Sequence, residues 1–339
     1  MNQFRDYLNI ASRLTPRRLG NSAQVLASYY RSRATGQPAH KGMPISIGIE
    51  PTTSCNLRCP ECPSGLRSFT RPTGVLEEDL FKKLIDELKD TLTYLTFYFQ
   101  GEPYLHPKFL SLVKYASQQN IYTATSTNAH YLTDKQARDT VESGLDRLII
   151  SLDGTDQETY QQYRIGGNME KVLEGTRNIL KWRKELKSKT PYVVFQFLVV
   201  KPNEHQVPEV QRLAKEMGVD NVLLKTAQIY DYKNGSDLMP TIDKYSRYRK
   251  DDDGTYSIKN RMLDHCWKMW NSCVITWDGK VVPCCFDKDA HYTLGDLSVN
   301  SFKEIWQGED YNRFRKSILR GREEIEICKN CTEGTKVWA

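Results

Sequence analysis

Six strand-length runs of β-branched and aromatic residues alternate with amphipathic segments between residues 45 and 226, and this alternation constrains the fold more than any other feature. The runs fall at 45–50, 94–99, 121–126, 147–152, 192–200 and 221–226. Helical periodicity occupies 77–89, 107–119, 134–143, 169–186 and 206–217. In the first of these, Leu80, Leu84, Ile85 and Leu88 recur at helical spacing among Glu and Lys. Gly144 and Gly218 stand where left-handed C-caps are needed. Repeated strand–helix units imply parallel strands joined by right-handed crossovers. The expected fold is α/β, a partial (β/α)6 barrel, with chemistry at the carboxyl ends of the strands.

Four regions follow from the pattern: a basic extension (1–43), the barrel (44–232), a polar connection rich in Lys and Asp (233–265), and a small α+β domain (266–339). In the last region, runs at 274–277 and 280–283 flank Asp278-Gly279, a hairpin signal. Residues 1–43 hold seven basic side chains against Asp6 alone, which accounts for the whole net charge of +6. The rest of the chain is neutral, which argues against nucleic acid as a partner. Phe4, Leu8, Ile10, Ala11 and Leu14 with Arg5, Arg13, Arg17 and Arg18 describe an amphipathic basic helix suited to a membrane surface. The alternative, packing against the barrel bottom, is favoured because Val25, Leu26, Tyr29 and Tyr30 continue the apolar face. No run approaches the ~18 apolar residues of a membrane span, and the first residues lack the apolar core of a secretory signal. A cytoplasmic location is expected.

The nine cysteines divide between Cys55, Cys59, Cys62 and a later group, Cys266, Cys273, Cys284, Cys285, Cys328, Cys331. An odd number without an export signal points to metal or redox chemistry rather than a disulfide framework. Structural zinc wants four nitrogen or sulfur ligands, and only three are local in Cys55-Asn-Leu-Arg-Cys59-Pro-Glu-Cys62. Three thiolates on one loop suit a cubane cluster with one open iron.

That loop, placed after the first strand, resembles the radical S-adenosylmethionine (SAM) superfamily. Gln100-Gly101-Glu102-Pro103 resembles the family's GGEP element, which implies that Gly101 and Glu102 hold the methionyl amine. By the same resemblance Asn128, Ser151 and Asp153, at the next two strand ends, contact SAM, and Arg164 pairs with its carboxylate. Taken alone, Glu102 and Asp153 also read as helix caps and Arg164 as a surface residue. The sequence departs from the pattern at Glu61, where an aromatic residue is usual beside adenine, and at Gln100, where the family has glycine.

The later cysteines, with the hairpin ending in Cys284 and the turn Leu294-Gly-Asp-Leu, resemble the SPASM/twitch extension of such enzymes. The resemblance implies one auxiliary [4Fe–4S] cluster on Cys266, Cys284, Cys328 and Cys331, with Cys273 as an alternative to Cys266 and zinc as an alternative to iron. Cys285 is left over. His106 and His205 read as structural, and His265, next to Cys266, as a supporting residue. The implied activity is cleavage of SAM by a reduced [4Fe–4S] cluster and hydrogen abstraction from a sugar- or cyclitol-like small molecule, with flavodoxin or ferredoxin as reductant. A peptide-modifying maturase is the alternative, and a non-catalytic iron–sulfur or zinc protein is the rival from another class.

Overall fold

The computed structural model describes residues 3–337. Two helices, α1 (Gln3–Ser12) and α2 (Pro16–Thr35), precede the barrel. Then follow β1 (Ser46–Ile49), α3 (Pro63–Leu66), α4 (Glu78–Leu88), β2 (Tyr94–Thr96), α5 (Phe109–Gln118), β3 (Tyr122–Thr127), α6 (Asp134–Glu142) and β4 (Arg147–Ser151). Next are α7 (Gln157–Tyr163), α8 (Met169–Glu185), β5 (Tyr192–Val199), α9 (Val207–Met217) and β6 (Asn221–Thr226). Each of the six expected strands and five expected helices is present within two residues of its expected ends, except that β2 stops at Thr96, three residues short. The segment read as a plain connection contains a hairpin, β7 (Tyr248–Lys250) and β8 (Tyr256–Ile258), closed by the Asp-Asp-Asp-Gly turn. The chain ends with α10 (Lys268–Asn271), β9 (Ser272–Ile275), β10 (Lys280–Val282), β11 (Gly295–Asp296), α11 (Phe302–Gln307), α12 (Glu309–Gly321) and α13 (Glu326–Lys329).

The strands β1 to β6 lie side by side in chain order, all parallel. The free edge of β1 pairs in parallel with β9, Ser46 against Ser272, so the C-terminal hairpin extends the same nine-stranded sheet. Strand alternation then sorts side chains between two faces. Ile47, Leu95, Leu148, Ile150, Val193, Phe195 and Phe197 point outward into the main core beneath the helices. Inward residues form layers: Tyr94, Tyr122, Arg147 and Tyr192 at the bottom, then Ile149, Val194 and Leu223, with Ser126, Ser151 and Gln196 at the top.

The helix α1 plugs the bottom, and it does so with its polar side. Asp6 is buried, takes the hydroxyl of Tyr122 and pairs with Arg147. Arg5 pairs with Asp220 at 3.0 Å and Arg13 with Asp146 at 2.7 Å, both at the amino ends of strands. Arg18, 2% exposed, donates to the carbonyls of Lys89 (2.7 Å), Gln119 (3.1 Å), Asn120 (2.5 Å) and Arg13 (2.7 Å). Lys89 and Gln119 cap the C-termini of α4 and α5, where a helix dipole favours a cation. Val25 and Tyr29 of α2 enter the core. The packed alternative therefore describes this segment: its arginines grip the barrel floor, while Phe4, Tyr7 and Leu8 stay on the outside.

Removing Arg18 would leave helix-end carbonyls without partners. Arg18→Ala is expected to cost about 2–4 kcal/mol, read as a lower urea midpoint. Arg17→Ala, which breaks an exposed pair with Asp90, should leave the midpoint unchanged.

Candidate functional site

The strand β1 delivers its chain to the top of the barrel, where the first cysteine loop begins. Leu57 N donates to Cys55 Sγ (3.4 Å) and Cys62 N to Cys59 O (3.3 Å), so the loop is closed on itself. Cys62 is the N-cap residue of α3, with Pro63 at its first position. A Cβ on Gly65 would lie 2.5 Å from Cys59 O, so the short helix closes on the loop only with glycine there.

The expected residues gather around this triplet. Gln100 Oε1 lies 4.0 Å from Cys62 Sγ, and Gly101 N donates to Ser64 Oγ at 2.8 Å. Glu102 accepts from Thr127 Oγ1 (2.7 Å), Tyr104 N (3.2 Å) and Asn128 N (2.8 Å). It caps the 3-10 turn Pro103–Leu105, so the cap reading of Glu102 is also true. A carboxylate has about four acceptor positions, and three are filled here. Burial pushes the Glu102 carboxyl upward against its three hydrogen bonds and the charge of Arg164, and among the described residues no Lys or Arg lies within ion-pair distance of it. A ligand ammonium would supply the missing countercharge.

Asn128 Nδ2 donates to Asn56 Oδ1 at 2.8 Å and lies 4.0 Å from Cys55 Sγ. Ser151 faces Ser126, 3.5 Å between hydroxyls, and among the described residues makes no hydrogen bond to the triplet or its neighbours. Arg164 and Asp153, expected as separate contacts, form one buried ion pair (Nε to Oδ2, 2.5 Å), and Arg164 Nη1 lies 3.7 Å from Cys59 Sγ. Asp153 also accepts from Leu198 N, so its carboxylate serves the protein. Glu61 accepts from Tyr230 N. His106 bridges Leu76 O and Lys108 N, a structural arrangement, and His265 Nδ1 lies 2.9 Å from the Tyr29 hydroxyl.

The later cysteines separate by strand alternation and by loop. Cys266, Cys284, Cys328 and Cys331 line one small cavity with Arg322. Cys273 takes an outward position on β9, buried beside Tyr311 and Arg315, and does not line that cavity. Cys285 turns to the lumen instead.

Burial pushes the thiol of Cys55 up to about 11 and that of Cys331 up to about 12, and raises Cys59, Cys284 and Cys328 as well. Thiols of this kind are poor nucleophiles at neutral pH. Among the described residues no three His, Cys, Asp or Glu side chains are drawn in closely enough for one metal ion. A single zinc would need sulfurs about 3.8 Å apart, given Zn–S of ~2.3 Å. The match to clusters is one of number: three thiols on one loop and four around one cavity are the ligand counts of a cubane with one open iron and of a fully ligated one.

A cavity of about 730 Å³ occupies the part of the lumen beside β1, β2 and β9, lined by Thr96, Tyr98, Lys225 and the loop 332–337 among others, and none of Cys55, Cys59, Cys62 or Glu102 lines it. Its wall includes Lys268, Cys284 and Glu333, which also line the small cysteine cavity. Sequence reasoning missed Lys268, Arg322 and Tyr98. None carries a local signal, because each is brought to its site by a different element.

Comparison with known proteins agrees with this geometry. A model described as the radical SAM superfamily matches residues 49–214, and one described as an iron–sulfur cluster-binding domain, SPASM, matches 266–332. A tungsten-containing aldehyde ferredoxin oxidoreductase cofactor-modifying protein of Pyrococcus furiosus is 28% identical over 79% of this chain and 82% of that protein. A PqqA peptide cyclase of Bradyrhizobium diazoefficiens is 28% identical over 86% of this chain and 79% of the cyclase. The crystal structure of BtrN in complex with AdoMet and 2-DOIA has the same fold, with a TM-score of 0.53 and 19% identity over 87% of this chain and 94% of BtrN.

Gly101 offers a direct test of the loop geometry. Its φ is +75°, and a Cβ would lie 2.1 Å from Thr52 O. Gly101→Ala should cost at least about 2 kcal/mol, lowering Tm by several degrees. Iron bound per chain after reconstitution should fall with it, because Thr52 leads into the cysteine loop.

Proposed function

The chain belongs to the radical SAM superfamily and carries a SPASM iron–sulfur domain, and on that premise we propose that it oxidises a small polar molecule held in the barrel lumen. Its cofactors are [4Fe–4S] clusters and SAM. Cys55, Cys59 and Cys62 would hold the SAM-binding cluster, and Cys266, Cys284, Cys328 and Cys331 one auxiliary cluster. When bound, the first cluster and SAM supply a 5′-deoxyadenosyl radical, which takes hydrogen from an unactivated C–H.

The protein's own part is placement. Glu102 offers a buried carboxylate to the SAM amine, with Gly101 giving the backbone close approach. Arg164, fixed by Asp153, presents its remaining guanidinium edge to the SAM carboxylate. Asn128 and Ser151 supply polar groups at the strand ends. The helix α1 and the tyrosine layer close the bottom, so a substrate in the lumen is shielded from water on that side.

The observation that carries the reading is the shared wall: the lumen and the auxiliary cysteine cavity meet at Lys268, Cys284 and Glu333. An electron left on a substrate radical has a short route to that cavity. With the clusters and SAM bound, one electron from a flavodoxin- or ferredoxin-type carrier would reach the first cluster and be consumed in cleaving SAM. The substrate would give up one hydrogen atom, then one proton and one electron, and the auxiliary cluster would take that electron. Hydroxyls of Ser46, Thr96, Tyr98 and Ser272 and the ammonium groups of Lys225 and Lys268 favour a sugar- or cyclitol-like molecule over an apolar one. The likeness to a PqqA peptide cyclase favours a second reading, a peptide side chain as substrate.

Changing Cys55, Cys59 and Cys62 together to Ala should abolish 5′-deoxyadenosine formation under dithionite and SAM, while the C-terminal iron stays bound. Production above an enzyme-free control would refute the assignment. Cys328→Ala with Cys331→Ala should leave 5′-deoxyadenosine measurable but strongly reduce oxidised product, with circular dichroism confirming the fold. Normal product formation by that variant would make the auxiliary cluster structural.

A further inference from the structure

Arg322 follows α12 and is only 1% exposed. Its backbone N donates to Asp264 Oδ1 (3.0 Å), Nη1 to His265 O (3.2 Å), and Nη2 to Glu333 O (2.7 Å) and Cys331 Sγ (3.1 Å). It thereby ties together the segment before Cys266 and the one after Cys331. These bonds leave two anomalies. Nε is buried without a hydrogen-bond partner, and the guanidinium has no carboxylate within ion-pair distance among the described residues. A buried cation without a counterion costs several kcal/mol, so the arrangement calls for an anion.

The surroundings say where that anion sits. Arg322 lines the cavity of Cys266, Cys284, Cys328 and Cys331, and its Nη2 donates directly to one of their sulfurs, that of Cys331. A cubane held by four thiolates is anionic, and reduction adds a further negative charge. A fixed cation and an N–H···S bond stabilise the reduced form more than the oxidised form, which raises the reduction potential. The apolar lining, with Met269, Phe314, Ile318 and Ile327, keeps water from screening the interaction.

We propose that Arg322 is a positioning and tuning residue that sets the reduction potential of the auxiliary cluster, holding it high enough to receive the substrate's electron. This rests on the assignment of Cys266, Cys284, Cys328 and Cys331 as cluster ligands. The step it governs is one-electron: the substrate radical is oxidised, the cluster is reduced, and the proton leaves the substrate.

The test uses the full chain, reconstituted anaerobically with iron and sulfide, in the Cys55, Cys59, Cys62→Ala background, so that the auxiliary cluster is the one observed. Midpoint potentials come from redox titration followed by electron paramagnetic resonance. Arg322→Gln, which removes the charge, is expected to shift the midpoint to more negative values. Arg322→Lys, which keeps the charge and loses the fork, should shift it less in the same direction. An unchanged midpoint in a cluster-loaded Arg322→Gln protein overturns the role of Arg322 and leaves the ligand assignment standing. A parent that binds zinc or no metal at these cysteines overturns both. The unsubstituted residue is tested by growing the same parent on 15N-arginine. A nitrogen hyperfine coupling to the reduced cluster is expected, and its absence overturns the proposal even if the variants fail to load.

Discussion

The strand β1 is hydrogen-bonded on both edges, to β2 on one side and to β9 on the other, and the relation between the two cysteine regions depends on that double pairing. Its carboxyl end launches the first cysteine loop, and its second partner leads through a hairpin to Cys284. Backbone ladders fix register to a single residue, because a one-residue slip would turn every side chain to the wrong face. Glu50, just beyond β1, reinforces the junction: it is fully buried, takes both arms of Arg71 (2.8 and 2.6 Å) and accepts from Trp277 N. Arg71 lies behind the first loop and Trp277 in the hairpin. One carboxylate therefore binds both sides of the junction, and breaking such a buried pair typically costs about 3–5 kcal/mol.

The layers of the lumen give the barrel its direction. Aromatic rings and the Asp6–Arg147 pair close the bottom, small aliphatic side chains fill the middle, and hydroxyls and amides stand at the top. The lumen shares Lys268, Cys284 and Glu333 with the small cavity that Cys266, Cys328 and Cys331 line. Polar groups that point outward from the strands are held in place by the protein itself: Thr125 donates to Phe97 O and Thr127 to Glu102. The upper rim is consequently a hydrogen-bonded framework rather than a set of free side chains.

Arginines do two different jobs in this molecule. Those of the first 18 residues neutralise acidic residues and helix ends on the barrel floor, from the exposed Arg17–Asp90 pair to the buried Arg18. Arg164 and Arg322 lie in the interior beside cysteine sulfurs, where low polarity magnifies a charge. The excess of positive charge in the first 43 residues, visible in composition, belongs to the first group. The interior arginines leave no trace in composition at all.

The sequence by itself determined the parallel barrel, the CxxxCxxC loop after β1 and the hairpin at Asp278-Gly279, because each is written in local spacing. Periods of two and of 3.6 residues decide strand and helix, and Gly101 is required by a backbone turn only a few residues long. It also pointed to a second group of cysteines as candidate ligands, preferring Cys266 with Cys273 as the alternative. Tertiary structure separated them, since β9 pairs with β1 and alternation sends Cys273 outward, away from the cavity that Cys266 lines. It likewise joined Arg164 to Asp153, set Arg322 against Cys331 and turned the polar side of α1 inward. These contacts span from nine to more than a hundred residues of chain. They arise from sheet register and from the need to give every buried charge a partner, and neither requirement leaves a periodic signal in the residues that satisfy it.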